Sequence, residues 1–443
     1  MIVFVTELLV ISLILNTVTT SSSSSVSNKH SRCIAIFENT PVMQSTETFH
    51  ICGQFDVITS VNQISHVDQL ILDTEQFTGI DRLAFSGVTI TKLLLNFGQK
   101  CQAASQCTPQ NVQVNAESFI GLQNLRELHV KHGIFQFQPN PFTQLNLLTH
   151  LGLEAVGLTK VPGNILDIFE DLEELILIKN NITEIDAQSF ATVSVHLRKL
   201  ILDNNNITNI EPQTFERLTS LKQLSLAGNN IQILNRGIIN NLVKLEHLDL
   251  SKNQLKILRK HTFSGLSLLK YLNVDYNRLD RIEANTFNGL NHLEKLSLNY
   301  NNLMDLQAGV FDGLKRLKRL DLASNPIITI GRGLFQSLTK LEELDLSWTQ
   351  ISHIEPNAFA GLVLTSLDLK NNHVDVLRAG TFNGLDVIDL AFSHHEEVMV
   401  VEADAFKNLT AGSVQIYLKE DVEVDSERWG IDDSINLVLA SSP

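Results

Sequence analysis

One register governs this chain. From Leu125 onward the pattern L-x-x-L-x-L-x-x-N-x-L returns, followed by an apolar residue and then F-x-x-L. Its first leucine falls at Leu125, Leu148, Leu172, Leu197, Leu221, Leu245, Leu269, Leu293, Leu317, Leu341 and Leu364, in steps of 23 to 25 residues. A second column runs Phe142, Leu166, Phe190, Phe215, Ile239, Phe263, Phe287, Phe311, Phe335, Phe359, Phe382 and Phe406. A third is Asn180, Asn205, Asn229, Asn253, Asn277, Asn301, Asn325 and Asn372. Three columns in one register restrict the chain to a stack of similar coils, because no coil this short buries its leucines alone.

The physics of one coil follows from the pattern. L-x-L alternation is a short strand with one face turned inward. Stacked coils pair these strands in parallel at ~4.8 Å. The column asparagine sits where the chain turns inward, so its amide is expected to satisfy backbone groups of the adjacent coil. The phenylalanines are expected to stack as a spine on the opposite wall. Weaker coils flank the regular ones: Val67-x-x-Leu70-x-Leu72 and Ile90-x-x-Leu93-x-Leu95 at the front, Ile388-x-Leu390 and Ile416-x-Leu418 near the end. That makes about fifteen coils, a stack of roughly 70 Å.

These columns resemble the extracellular leucine-rich repeat proteins of the 24-residue type, over roughly residues 67–440. The resemblance implies an α/β leucine-rich repeat solenoid: a curved horseshoe with a parallel sheet on its concave face and loops and short helical turns on the convex side. It also implies a cysteine-rich C-terminal cap, and the chain stops before any such cysteine. The atypical N-terminal cap, the stretch AFSGVTITKLLL near residue 84 and the Trp429 segment are more particular. They are similar to arthropod secreted repeat proteins related to the non-catalytic subunit of Oplophorus luciferase, which implies a binding or stabilising subunit.

The organisation expected is as follows. Residues 1–20 carry an apolar run, Leu8 to Leu15, of signal-peptide length, too short for the alternative of a membrane anchor. Residues 21–32 are a flexible serine-rich lead-in, 33–66 an N-terminal cap, and 67–440 the array, with an insertion near 99–110. Residues 441–443 form a tail. The mature chain is expected to be secreted, with no stable membrane insertion. Four cysteines allow three connectivities. Sequence proximity favours Cys33–Cys52 across the cap and Cys101–Cys107 in the insertion. A zinc site is the rival, and it would need closely spaced Cys or His pairs. The N-x-S/T sequons at Asn181, Asn206 and Asn408 are candidate glycosylation sites.

Chemistry is sparse. No nucleophile elbow, HExxH, Walker A or dinucleotide fingerprint sits in a suitable context. Histidines such as His129, His132, His150 and His247 scatter over variable positions, and His394-His395-Glu396-Glu397 reads as a polar loop rather than a metal site. No enzyme activity, cofactor or metal is expected. The net charge of −15, from 34 Lys+Arg against 49 Asp+Glu, excludes a basic nucleic-acid footprint.

Binding is what remains. The column inside L-x-L carries Asp249, Asp321, Asp345, Asp368 and Asp389. The column just before the asparagine carries Tyr276, Tyr300, Trp348 and Phe392, with Ser324 and Asn371 between them, and Tyr271 faces out of the same sheet. In the first half that column holds His132, Ala155, Lys179, Asn204, Gly228 and Lys252. Large rings beside carboxylates are typical interface anchors. The rival reading packs the rings on one another or under the loop at His394. The expected function is a secreted scaffold that binds a basic or mixed protein partner through its concave face. The alternatives are a non-catalytic accessory subunit of a secreted enzyme and a truncated ectodomain of a membrane receptor.

Overall fold

The computed structural model describes residues 31–38, 46–54, 57–63, 68–73, 79–97, 99–101, 107–109, 111–137, 139–394, 400–417 and 425–440. The expected signal peptide, the expected lead-in to residue 30 and the His395–Glu397 part of the polar loop lie outside them. The chain divides into two compact units: residues 1–180 with 192–194, and residues 181–191 with 195–443.

The first unit opens with three antiparallel strands where the cap is expected. The strands Ser31–Glu38, Thr46–Gln54 and Val57–Gln63 pair antiparallel in that order. Val57–Gln63 then pairs in parallel with Gly79–Ile80, which hands the chain over to the stack. The parallel strands Gln69–Asp73, Lys92–Asn96, Glu127–Lys131, His150–Glu154 and Glu174–Ile176 follow, each beside the next. Leu70, Leu93, Leu128 and Leu151 stand in one register and are buried, as the leucine columns require. The insertion forms a separate antiparallel pair, Gln99–Cys101 with Cys107–Pro109, in which Cys101 faces Cys107; in the cap, Cys33 faces Cys52.

The second unit repeats one theme. Strands of three residues, beginning with Lys199–Ile201 and ending with Glu343–Asp345, pair in parallel in sequence order. Asn301 shows what joins the coils. Its Oδ1 accepts from the Leu279 backbone N–H (3.0 Å), and its Nδ2 donates to the Val274 and Leu298 carbonyls (3.0 and 3.1 Å). Asn229, Asn253, Asn277 and Asn325 make equivalent bonds one coil apart. At position 349 the column has no asparagine. Thr349 is buried there, and its hydroxyl donates to the Leu346 carbonyl at 3.0 Å. On the far wall the phenylalanines stack from Phe263 through Phe287, Phe311, Phe335, Phe359 and Phe382 to Phe406, with ring centroids 5.1–6.3 Å apart.

The last coils depart from the register expected of them. Coils up to Leu341 place a turn between F-x-x-L and the next leucine, as in the Leu341 N–H to Leu338 carbonyl bond. After Phe359, Phe382 and Phe406 one residue of that turn is missing, so the chain runs straight into the sheet. The strands lengthen to 10, 9 and 8 residues at Val363–Asn372, Asp386–His394 and Thr410–Tyr417. Leu390 pairs with Leu367 and Phe392 with Leu369, so the inward pair is Leu390-x-Phe392. Ile388, expected in the core, is 58% exposed. One coil on, the inward pair is Val414-x-Ile416 rather than Ile416-x-Leu418.

Leu296→Ala, at a site of 0% exposure in the middle of the second unit, is expected to lower unfolding free energy by about 2–5 kcal/mol through the cavity it leaves. Urea titration measures this, and wild-type stability would contradict the packing described.

Candidate partner-binding face

The outward side of the second unit's strands is a lattice of charges that mostly answer one another. Along one column Glu246 lies between Lys222 (3.2 Å) and Lys270 (2.6 Å), and Lys318 pairs with Glu294 (3.0 Å). These exposed pairs hold adjacent coils in line and contribute little energy. Deeper in the sheet, the Asp203 carboxylate accepts from the Ala227 backbone N–H (3.1 Å) and the Ser225 hydroxyl. Asp275 accepts from the Asn299 N–H (2.7 Å) and the Ser297 hydroxyl (2.8 Å). Asp249 accepts from the Asn273 amide (3.1 Å). An acid in one coil therefore caps a polar group in the next.

This corrects one expectation for the aspartate column. Asp321 is 3% exposed and is no free anchor. Arg319 donates to both of its oxygens (2.8 and 3.1 Å), Lys295 stands 3.6 Å away, and Arg319 also reaches Glu343. Asp345 is half-buried and accepts from the Ser347 N–H and hydroxyl at 2.9 and 2.7 Å. Tyr271 is half-buried with the Lys295 ammonium 5.6 Å above its ring, and burial pushes its phenol up to about 12.

The ring column is a backbone feature first. Lys252, Tyr276, Tyr300, Ser324, Trp348 and Asn371 all have positive φ, between 53° and 58°. The chain needs a left-handed residue there to turn from the strand toward the column asparagine. Glycine and asparagine suit the position, as Gly228 and Asn204 show, whereas a bulky side chain costs about 1–2 kcal/mol. Each N–H of the column donates to a carbonyl in the next coil: Tyr276 to Asn299, Tyr300 to Ala323, Ser324 to Ser347, Trp348 to Lys370, at 2.9–3.0 Å. The side chains are thereby aligned one per coil. Tyr276 and Tyr300 stack with centroids 4.2 Å and planes 7° apart, and remain 48% and 50% exposed. Trp348 is 59% exposed. Met304 and Ile328, four residues beyond Tyr300 and Ser324, are exposed as well.

Phe392 does not belong with these rings. It is 1% exposed, because the missing turn residue moves it to the inward position opposite Leu369. The structure therefore brings together Tyr276 and Tyr300, aligns Trp348 with them, and sets Phe392 in the core. Sequence reasoning missed Met304 and Ile328. The available signal was two apolar residues at an otherwise polar position, 24 residues apart.

Elsewhere the face is equally self-contained. In the first unit His150 Nε2 stands 3.5 Å from Glu174, which raises the imidazole pKa, while burial lowers that of His129. The His129 ring lies over Gly152, where a Cβ would come within 2.3 Å of its Nδ1. Among the described residues no group of three or more His, Cys, Asp or Glu is placed to hold a metal ion. The three sequon asparagines are exposed, and Asn408 Nδ2 donates to Asn383 Oδ1 at 2.9 Å.

The half-buried acids are expected to make stability depend on pH. Burial holds Asp203 and Asp275 above their ordinary value of 3.8. A raised folded pKa means that the folded chain keeps a proton the unfolded chain has released, so this contribution is full below about pH 4 and is lost as pH rises through the folded value. Asp275→Asn keeps the shape and the acceptor oxygen without the charge. The midpoint of Asp275→Asn relative to wild type is expected to be higher at pH 7 than at pH 4, measured by thermal unfolding. A difference that does not change with pH would contradict the assignment.

Comparison with known proteins agrees with this architecture. Residues 170–231, 195–255, 230–279, 268–327 and 315–374 match the family model described as leucine rich repeat. No curated protein sequence matches the chain. Among solved structures, a chain of the Toll–Spatzle complex of Drosophila is similar at a TM-score of 0.55 and 14% identity, over 92% of this chain and 72% of that one. The TLR13–ssRNA13 complex aligns at TM-score 0.44 and 21% identity, over 82% of this chain and 65% of that one. An internalin of Listeria monocytogenes aligns at 0.44 and 19%, over 60% and 80%. Residues 170–374 thus carry leucine-rich repeats, and the fold is a leucine-rich repeat solenoid with repeats of about 24 residues, a long parallel sheet and little helix.

Proposed function

We propose that this chain is an extracellular scaffold that holds a protein partner on the outer sheet face of its second unit, around Tyr276, Tyr300 and Trp348. One observation carries the reading: three large rings occupy left-handed backbone positions that favour glycine or asparagine, and they stay exposed. The stack of the two tyrosines offsets that strain in part, and an interface accounts for exposed rings at these positions, because a ring buries much area with few rotatable bonds. Asp345 and the acids beside it suit a partner with basic groups. A preformed row of parallel strands lowers the ordering cost of that contact.

Secretion is supported by the apolar run at Leu8–Leu15, by three exposed sequons, and by the cysteine register. Facing residues of an antiparallel pair have Cα atoms roughly 4.5–5.5 Å apart, inside the roughly 4.4–6.8 Å that a disulfide spans. Cys33 with Cys52 and Cys101 with Cys107 meet that condition. Peptide mapping without reduction is expected to recover these two pairs, and a Cys52–Cys101 peptide would exclude them. The resemblance at the Trp429 segment favours one narrower role, a non-catalytic subunit of a secreted enzyme. That segment is a short helix, Ser426–Trp429, capped by Asp425, with Trp429 buried. Co-purification of the native protein with a catalytic chain is the outcome that role requires.

The face itself is tested at Trp348. Trp348→Asn removes the ring and relieves the left-handed strain, so the variant is expected to unfold no earlier than wild type. Against a protein captured from extracellular fluid by the wild-type chain, it should lose about 2 kcal/mol or more of binding, some thirty-fold in Kd. Unchanged affinity in a calorimetric titration would move the partner site away from this column.

A further inference from the structure

Two coils carry the same short sequence in the same turn. Thr286 to Leu290 and Thr381 to Leu385 both read T-F-N-G-L. The turns close alike: the Leu290 N–H donates to the Phe287 carbonyl at 3.2 Å, and the Leu385 N–H to the Phe382 carbonyl at 3.1 Å. Gly289 and Gly384 both take positive φ, 97° and 73°. An asparagine before glycine is open to attack on its side-chain amide carbon by the next backbone nitrogen, because glycine puts no Cβ in the way. The covalent chain itself keeps the two groups within reach. What differs between the coils is how firmly each amide is held.

Asn383 is tied to the coils on either side. Its Nδ2 donates to Asn357 Oδ1 at 2.6 Å, and its Oδ1 accepts from Asn408 Nδ2 at 2.9 Å. The Gly384 N–H donates to the Asn408 carbonyl at 3.3 Å. Asn408, with φ 58°, stands where Gly313, Gly361 and Gly384 stand in other coils. Asn288 is exposed, and its Nδ2 donates to Asn285 Oδ1 of its own coil at 2.8 Å. The residue in the place of Asn408 is here Gly313, which has no side chain to offer. Among the described residues the Gly289 N–H meets no acceptor.

We propose that Asn288 is a site of spontaneous deamidation and that Asn383, in the same local sequence, is shielded from it by its neighbours. The Gly289 nitrogen gives its proton to solvent base and bonds to Asn288 Cγ. The Cγ–Nδ2 bond breaks, and the nitrogen leaves with a proton from water as ammonia. Water then opens the cyclic imide. Cleavage at Cγ gives aspartate, and cleavage at the main-chain carbonyl carbon gives isoaspartate, with the chain running through Cβ. Either way one water is taken up and one ammonia released. Isoaspartate adds a carbon to the turn between Phe287 and Leu290, both 0% exposed. Phe287 stacks between Phe263 and Phe311 at 6.2 and 6.3 Å, so the longer turn disturbs that joint, in the coil that carries Tyr276. None of this depends on what the chain binds.

The test incubates the full chain in mildly alkaline buffer, folded and in urea. Peptide mapping follows the amide, aspartate and isoaspartate forms at both positions. In the folded chain Asn288 is expected to convert roughly ten-fold or more faster than Asn383, whose hydrogen bonds must break before it reacts. In urea the two should convert at similar rates, since their neighbours in sequence are the same. Asn357→Gly suits the left-handed backbone at that position (φ 63°) and removes the acceptor of Asn383 Nδ2. It should speed Asn383 several-fold and leave Asn288 unchanged. Should it unfold early, Asn408→Gly takes its place, with the same result expected. Equal rates in the folded chain, or a difference that persists in urea, overturns the proposal. An Asn383 rate unmoved in the folded variant overturns the shielding. An aged chain rich in isoaspartate at position 288 that unfolds at the midpoint of fresh protein overturns the effect on the Phe287 joint.

Discussion

A buried turn is the constraint on which this molecule depends. Every coil must leave the sheet and bend back through the core, and the bend strands backbone N–H and C=O groups away from water. Left unpaired, each would cost about 1–3 kcal/mol. One asparagine amide answers three of them at once, two within reach of its Nδ2 and one at its Oδ1, and it does so across the joint between coils. The column asparagine is therefore more than a turn former. It couples each coil to its neighbour, and the leucines it positions become a continuous core. Thr349 shows the tolerance of the device: a hydroxyl serves part of the need where the neighbouring Asn372 donates to the Leu346 carbonyl at 2.9 Å.

The same bend creates the candidate site. To bring the asparagine inward, the preceding residue must turn left-handed, which points its side chain outward beside the sheet. Most of the column meets this with small or flexible residues. Tyr276, Tyr300 and Trp348 meet it with rings, at a local cost that the 4.2 Å stack of the two tyrosines offsets in part. Strain and exposure at one place form a better indication of function than either alone, since surface rings are common and strained positions are usually filled by residues that suit them.

The aspartates point the other way. A row of acids on a sheet face looks like an electrostatic surface awaiting a cation. Asp249 accepts a hydrogen bond from the next coil, Asp345 and Asp368 accept theirs from their own, and Asp321 is enclosed by Arg319 and Lys295. The row strengthens the stack, at the expense of holding charge in a partly desolvated place. Beside these pairings Glu342 stays exposed and Asp345 half-buried.

Much of this was legible in the residues themselves. Period alone determined the stack, the inward leucines, the asparagine column and the phenylalanine spine, because each depends on spacing along one chain and repeats until chance is excluded. The exposed rings at Tyr276, Tyr300 and Trp348 followed from the same register. The sequence could not show where the register fails. The residue lost after Phe359 and again after Phe382 could be absorbed in the turn or in the strand. Only the sheet pairing decided for the strand, which turned Phe392 into the core and Ile388 out of it. Nor could spacing reveal that Asp321 is closed off while Asp345 is not. That difference depends on Arg319 and Lys295 arriving from the same and the neighbouring coil, a matter of side-chain reach in three dimensions rather than of position along the chain.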